Sequence, residues 1–140
     1  MYDIIYFDLD DTLVQDNPVT GKSEILNSGL EKYKELVRNS PNATKVLLTN
    51  RCSASIKYPD VYVFDEVLGW DNMKEYISNG IKDVKISHLT SLKNIFIFLR
   101  GIYLYKRNQT PKLLYVFLRS VIKKEKIFVL DDDFRVSGMF

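Results

Sequence analysis

Four short apolar runs punctuate this chain, and each ends abruptly in polar residues. Ile4-Ile5-Tyr6-Phe7, Val46-Leu47-Leu48, Val61-Tyr62-Val63-Phe64 and Ile127-Phe128-Val129-Leu130 are rich in β-branched and aromatic residues. Runs of this length and composition read as buried strands, over roughly 3–8, 45–49, 61–64 and 127–130. Between them the period changes. Leu30, Tyr33, Leu36 and Val37 form a helical stripe over 28–39, stopped by Asn39-Ser40-Pro41-Asn42. A second helix is expected over 70–79, ending at Gly80. The stretch 92–99 fits helix or strand equally well, and 103–105 reads as a short strand. A loop with Pro18 and Gly21 follows the first strand, and another contains Pro59.

The polar ends of the strands carry the chemistry. The first run delivers Asp8 and Asp10, spaced i, i+2, and then Thr12. The last delivers Asp131-Asp132-Asp133. An unpaired carboxylate is costly to desolvate, so acids clustered at buried strand ends call for a cation. Two such strands fit one open α/β sheet, with its ligand outside the carboxyl edge. All-oxygen donors favour Mg²⁺, and a chain with one His and one Cys is ill suited to zinc.

The second strand ends in Thr49-Asn50. Farther on, Thr110 suits a helix N-cap and Pro111 the first helical position. Leu113, Leu114, Phe117, Leu118, Val121 and Ile122 then form a wide apolar stripe. Lys112 falls in the first turn, where its stem can reach back to a strand end and the helix N-terminus adds positive potential.

In this order, Asp-x-Asp-x-Thr, a strand-end Thr, a Lys and an apolar strand into Asp-Asp resemble the haloacid dehalogenase superfamily of phosphotransferases. The signatures run from Asp8 to Asp132. The segments Gly101–Tyr105 and Thr110–Leu118 are also similar to the surroundings of the lysine in small phosphatases of that superfamily. The resemblance implies a Rossmann-like three-layer α/β sandwich with a mainly parallel sheet, a minimal core without a large cap. It implies a Mg²⁺-dependent phosphohydrolase acting through an aspartyl-phosphate. Asp8 would be the nucleophile and Asp10 the general acid and then base. Thr49 and Asn50 would bind substrate, Thr49 through a phosphoryl oxygen, and Lys112 would neutralise developing charge. Asp8, the backbone carbonyl of Asp10, and Asp131 would hold the metal, with Asp132 acting on it through water or by orienting Lys112.

Plainer readings stand beside these. Asp8 and Asp10 are also reasonable turn residues. Lys123, Lys124 and Lys126 are rival lysines, placed in a solvated loop. Asp11 and Asp133 are expected to be exposed, Thr12 to brace the turn, His88 to serve as a cap or surface residue, and Cys52 and Arg51 to stand by. Receiver domains use similar residue types, but with the lysine last, whereas here it precedes the final acids.

Length and composition change this picture little. The 140 residues suit one domain, 1–140, and 46% hydrophobic with 27% charged residues is ordinary for a soluble protein. Without a visible signal peptide or a long apolar span, a soluble, cytoplasmic protein with no membrane partner is expected. No room for a folded cap is apparent between the first two signatures, so the site should be open. The partner is then a phosphorylated small molecule or polymer end. Seven basic residues against one acid between Gly101 and Lys126 raise a polynucleotide 3′-phosphatase as an alternative, although a net charge of +2 does not itself imply nucleic acid. A non-catalytic binding module of the same fold is the other alternative. The last strand is expected beside the first, leaving an exposed edge that invites a homodimer.

Overall fold

The computed structural model describes all 140 residues. The first strand, β1 (Ile4–Phe7), is followed by a hairpin of β2 (Val14–Asp16) and β3 (Ser23–Ile25), then α1 (Asn27–Asn39) and β4 (Thr44–Leu48). Next come β5 (Glu66–Leu68), α2 (Trp70–Gly80), α3 (Leu92–Lys106) and α4 (Lys112–Val116), whose last turns widen to a π-helical turn at Phe117–Val121. The chain closes with β6 (Ile127–Leu130) and the short α5 (Phe134–Ser137). The main sheet has the order β5-β4-β1-β6, with every neighbouring pair parallel.

Strand periodicity of two divides the core into two layers. Ile4 and Tyr6 of β1, with Val46 and Leu48 of β4, pack under Met73 and Ile77 of α2, Ile97 and Leu104 of α3, and Leu113, Leu114, Tyr115 and Val116 of α4. Ile5, Phe7 and Leu47 point the other way, against Tyr33 and Leu36 of α1 and the buried Leu9, Leu13 and Tyr62. The result is a three-layer α/β sandwich in which both cores share one sheet. The last strand lies beside the first, at one edge of the sheet, as expected.

Three sequence expectations are corrected. The run Val61–Phe64 is not a strand. Tyr62 is buried in an aromatic cluster with Tyr33 and Phe64. The Tyr33 hydroxyl accepts from the Val63 N–H at 2.8 Å and donates to its carbonyl at 3.0 Å, so a side chain supplies what a ladder would. The third sheet strand is instead Glu66–Leu68, an edge strand paired with β4. Tyr103–Tyr105 is not a strand either, because α3 runs unbroken through Gly101 to Lys106. A Cβ at Gly101 would lie 3.0 Å from the Leu114 backbone, so this glycine is the point where α3 and α4 touch. The loop after β1 contains the β2–β3 hairpin, whose strands are only three residues long and mostly exposed.

Candidate active site

Strand parity assembles the site. The ladder continues one residue past β1, since the Asp8 N–H donates to the Leu130 carbonyl at 2.8 Å. Asp8 therefore keeps the facing of Ile4 and Tyr6, toward the α4 layer, and lies beside Asp131, which keeps the facing of Ile127 and Val129. Lys112, in the first turn of α4, meets both. Its Nζ donates to Asp8 Oδ1 at 2.5 Å and to Asp131 Oδ2 at 2.9 Å. All three side chains are at most 8% exposed. The helix starts one residue later than the sequence suggests, with Pro111 at the N-cap, and Thr110 shapes the turn from just before it, its Oγ1 accepting from the Lys112 N–H at 3.2 Å and donating to Asn50 Oδ1 at 3.0 Å.

The turn after β1 holds the second oxygen of Asp8. Leu13 and Val14 both donate their N–H groups to the Leu9 carbonyl, and Asp11 takes a left-handed conformation with φ of 62°. Thr12 Oγ1 then donates to Asp8 Oδ2 at 2.9 Å and accepts from the Asp132 N–H at 3.0 Å. One hydroxyl thus ties the two acidic strand ends together. Gly29 makes the turn possible, because a Cβ there would fall 1.9 Å from the Thr12 carbonyl oxygen.

A cavity of about 190 Å³ opens over these groups. Six carboxylates line it, from Asp8, Asp10, Asp11, Asp131, Asp132 and Asp133, against one cation, Lys112. Thr49, Asn50 and Thr110 add neutral polar groups. Asp8, Asp131 and Asp132 each offer a carboxylate oxygen, and these oxygens lie within 4.8 Å of one another. Asp8 is buried, whereas Asp132 is exposed.

The charge imbalance shows in the titration of the cluster. Burial pushes Asp8 up to about 7, with Asp131 adding to the rise and Lys112 opposing it. Asp131 is raised for the same first reason, burial. Burial also works against the Lys112 ammonium, but Asp8 and Asp131 outweigh it and hold Lys112 above the ordinary lysine range. A buried lysine stays charged while two carboxylates compete for it, so the site carries surplus negative charge.

Asp8, Thr49, Asn50, Lys112, Asp131 and Asp132 thus come together at one cavity, with Asp10 at its wall. The Asp10 carboxylate is not part of the three-acid cluster. Arg51 grips both of its oxygens, with Nε at 2.8 Å from Oδ2 and Nη2 against Oδ1. Asp131, rather than Asp132, contacts Lys112. Asp133 is half-buried, caps α5 through the Arg135 N–H and pairs with the Arg135 guanidinium, which corrects the expectation that it is simply exposed. Arg51 is likewise a partner rather than a bystander. Its signal was weak, since only proximity of the strand end at Asn50 to the turn at Asp10 makes the pair. The role expected of Thr12 as a brace is found, and His88 accepts from the Lys85 N–H at 2.9 Å as a cap.

The basic stretch 101–126 does not converge on the site. Of its cations only Lys112 lines the cavity, and Arg119 is tied to Glu66 and the Tyr115 hydroxyl. Lys123, Lys124 and Lys126 precede β6, at the end of the sheet opposite the acids, and are exposed. No helix is long and apolar enough to cross a membrane. No protein-family model, curated protein or solved structure matches this chain.

Proposed function

We propose that this chain is a divalent-cation-dependent phosphohydrolase working through an aspartyl-phosphate on Asp8, on the minimal capless core that its sequence resembles. One observation carries the reading. A buried carboxylate at the carboxyl end of a central strand is held by a buried lysine through one oxygen and by Thr12 through the other, facing a small polar cavity.

In this reading Asp8 attacks phosphorus, and the bond from phosphorus to the leaving oxygen breaks as Asp10 supplies a proton to that oxygen. A water then attacks the phosphorus of the Asp8 ester while Asp10 takes its proton, and the bond from phosphorus to the Asp8 oxygen breaks, releasing phosphate and restoring Asp8 as a carboxylate and Asp10 as the acid. Thr49 Oγ1 accepts from the Arg51 N–H at 3.2 Å, leaving its own proton for a phosphoryl oxygen. Asn50 spends its Oδ1 on Thr110 and keeps its amide N–H groups free. Lys112 neutralises charge as it builds on the phosphoryl oxygens. Arg51 orients Asp10 at the cavity wall, and one of its two contacts must open for Asp10 to carry the proton it supplies.

The donor set fits a hard cation. Asp8, Asp131 and Asp132 would hold Mg²⁺, and the pocket has neither His nor Cys among its lining residues. With Asp10 paired to Arg51 and Asp133 to Arg135, a phosphate dianion still enters among four carboxylates and one ammonium, and needs further positive charge. Bound there, the cation would supply electrostatic shielding of the nucleophile from the anionic substrate.

The test is hydrolysis of an aryl phosphate with Mg²⁺ and with EDTA, for wild type and Asp8→Asn. Metal-dependent turnover abolished by the substitution is expected. A folded protein that turns over no phosphoester, with or without Mg²⁺, would instead be a binding module.

A further inference from the structure

Helix α3 presents an apolar ridge that nothing in the chain covers. Leu92, Phe96, Leu99 and Tyr103 are 73%, 62%, 58% and 49% exposed. Their 4-3-4 spacing places them within an arc of about 60° at about 100° per residue, the width of a helix–helix seam rather than of a broad apolar face. The opposite side of α3 is already used, since Ile97, Gly101 and Leu104 are buried against α4. A helix with one face in the core and a second narrow seam in solvent is made for two sets of contacts.

Charge defines the occupant. Lys93, Arg100 and Arg107 repeat every seven residues and form a row along one flank of the ridge, with Lys106 on the other. There is no acidic residue from Leu92 to Arg107. Lys93, Arg100 and Arg107 make no ion pair in the fold. The only acid sharing a cavity with Lys93 is Glu125. Arg107 lies over the Tyr103 ring, 5.4 Å from its centroid. Beside the cationic flank is a cavity of about 680 Å³ between α3 and α5, lined by Phe96, Lys93, Arg100 and the 81% exposed Phe134. A ridge with a hollow beside it suits a convex rod more than a flat bilayer. A second copy of α3 would bring cations against cations, with no acid to answer them.

We infer that the α3 ridge is a docking seam for an amphipathic helix of a partner protein, with apolar residues at heptad spacing and Asp or Glu on its flank. The apolar seam supplies affinity and the cation row supplies orientation and choice of partner. The seam is independent of the phosphohydrolase reading, because none of its residues lines the acidic cavity.

The test uses the full chain and two labelled synthetic helical peptides of about three heptads. Both have Leu at the seam positions, one with Glu and one with Lys at the flanks. Fluorescence anisotropy is expected to show the Glu peptide binding roughly tenfold or more tighter than the Lys peptide. That preference should shrink at about 1 M salt, where screening acts over about 3 Å. The exposed double substitution Lys93→Glu with Arg100→Glu should reverse it, and Leu99→Glu should weaken binding of both, with unchanged circular dichroism. Binding of neither peptide, or equal binding of both, overturns the inference. So does a wild-type dimer in sedimentation that Leu99→Glu dissolves, which would give the ridge to a second copy.

Discussion

Replacing Asp8 by Asn should make the metal-free protein more stable while removing its activity. Asp8 is 7% exposed, and burial with a neighbouring Asp131 raises it to about 7 from 3.8. A carboxyl with a raised folded-state pKa holds its proton more tightly folded than unfolded. Its stabilising contribution is therefore complete below the unfolded value and is lost as pH rises from about 4 through about 7. The difference of about three units is worth about 4 kcal/mol at about 1.4 kcal/mol per unit. Asn at this position keeps an oxygen for Lys112 Nζ but gives up the acceptor for Thr12 Oγ1, a loss of about 1 kcal/mol. Thr12 can turn its proton to Asp132 Oδ1, already 3.4 Å away. A net gain of about 2–3 kcal/mol for Asp8→Asn is expected at about pH 8, reversing to a deficit of about 1 kcal/mol near pH 4, where Asp8 is protonated in the fold and only the Thr12 bond separates the two proteins. Urea unfolding of both proteins in EDTA at the two pH values measures it. Lysine titration does not enter, because Lys112 stays charged throughout this range. A variant less stable than wild type at the higher pH, or a gap that does not change with pH, would refute the electrostatic reasoning. In wild type Mg²⁺ should restore the stability lost at high pH, and in the variant it should do so less.

Lys112→Met should cost about 3–5 kcal/mol in urea unfolding near neutral pH, since it leaves Asp8 and Asp131 buried without their cation. A loss below about 1 kcal/mol would show the triad to be solvated. Gly29→Ala should lower stability by about 1–3 kcal/mol, because the new methyl meets a backbone oxygen that cannot rotate away. Since that oxygen belongs to Thr12, the same variant should turn over substrate more slowly, and full activity would separate the turn from the site. Tyr33→Phe removes both hydrogen bonds to Val63, a 63% exposed residue, and should cost about 0.5–1.5 kcal/mol by thermal unfolding.

Most of what positions the site was readable because it depends on short-range rules. Apolar runs ending in acids gave β1 and β6, and the alternation of a strand then carries Asp8 and Asp131 to one face. Thr110-Pro111 marked the start of the helix that carries Lys112. What escaped the sequence depends on partners distant along the chain. The run Val61–Phe64 has strand composition, but a tyrosine hydroxyl thirty residues away takes its hydrogen bonds. Glu66–Leu68 pairs although its first residue is charged, because Arg119 holds Glu66 from α4's continuation. Arg51 reached Asp10 across forty-one residues, a pairing with no local pattern. Gly101 lies between the stretches 92–99 and 103–105, which read as separate elements, whereas it is the point where one continuous helix touches α4.

The claim that everything functional leans on is that Asp8 becomes covalently phosphorylated. Wild-type protein turning over an aryl phosphate with Mg²⁺ can be quenched in acid and reduced with borohydride, which converts an aspartyl-phosphate to homoserine. Peptide mass spectrometry is expected to find homoserine at position 8 and nowhere else. Turnover with position 8 unchanged, or with the mark on Asp10, Asp131 or Asp132, would contradict the account.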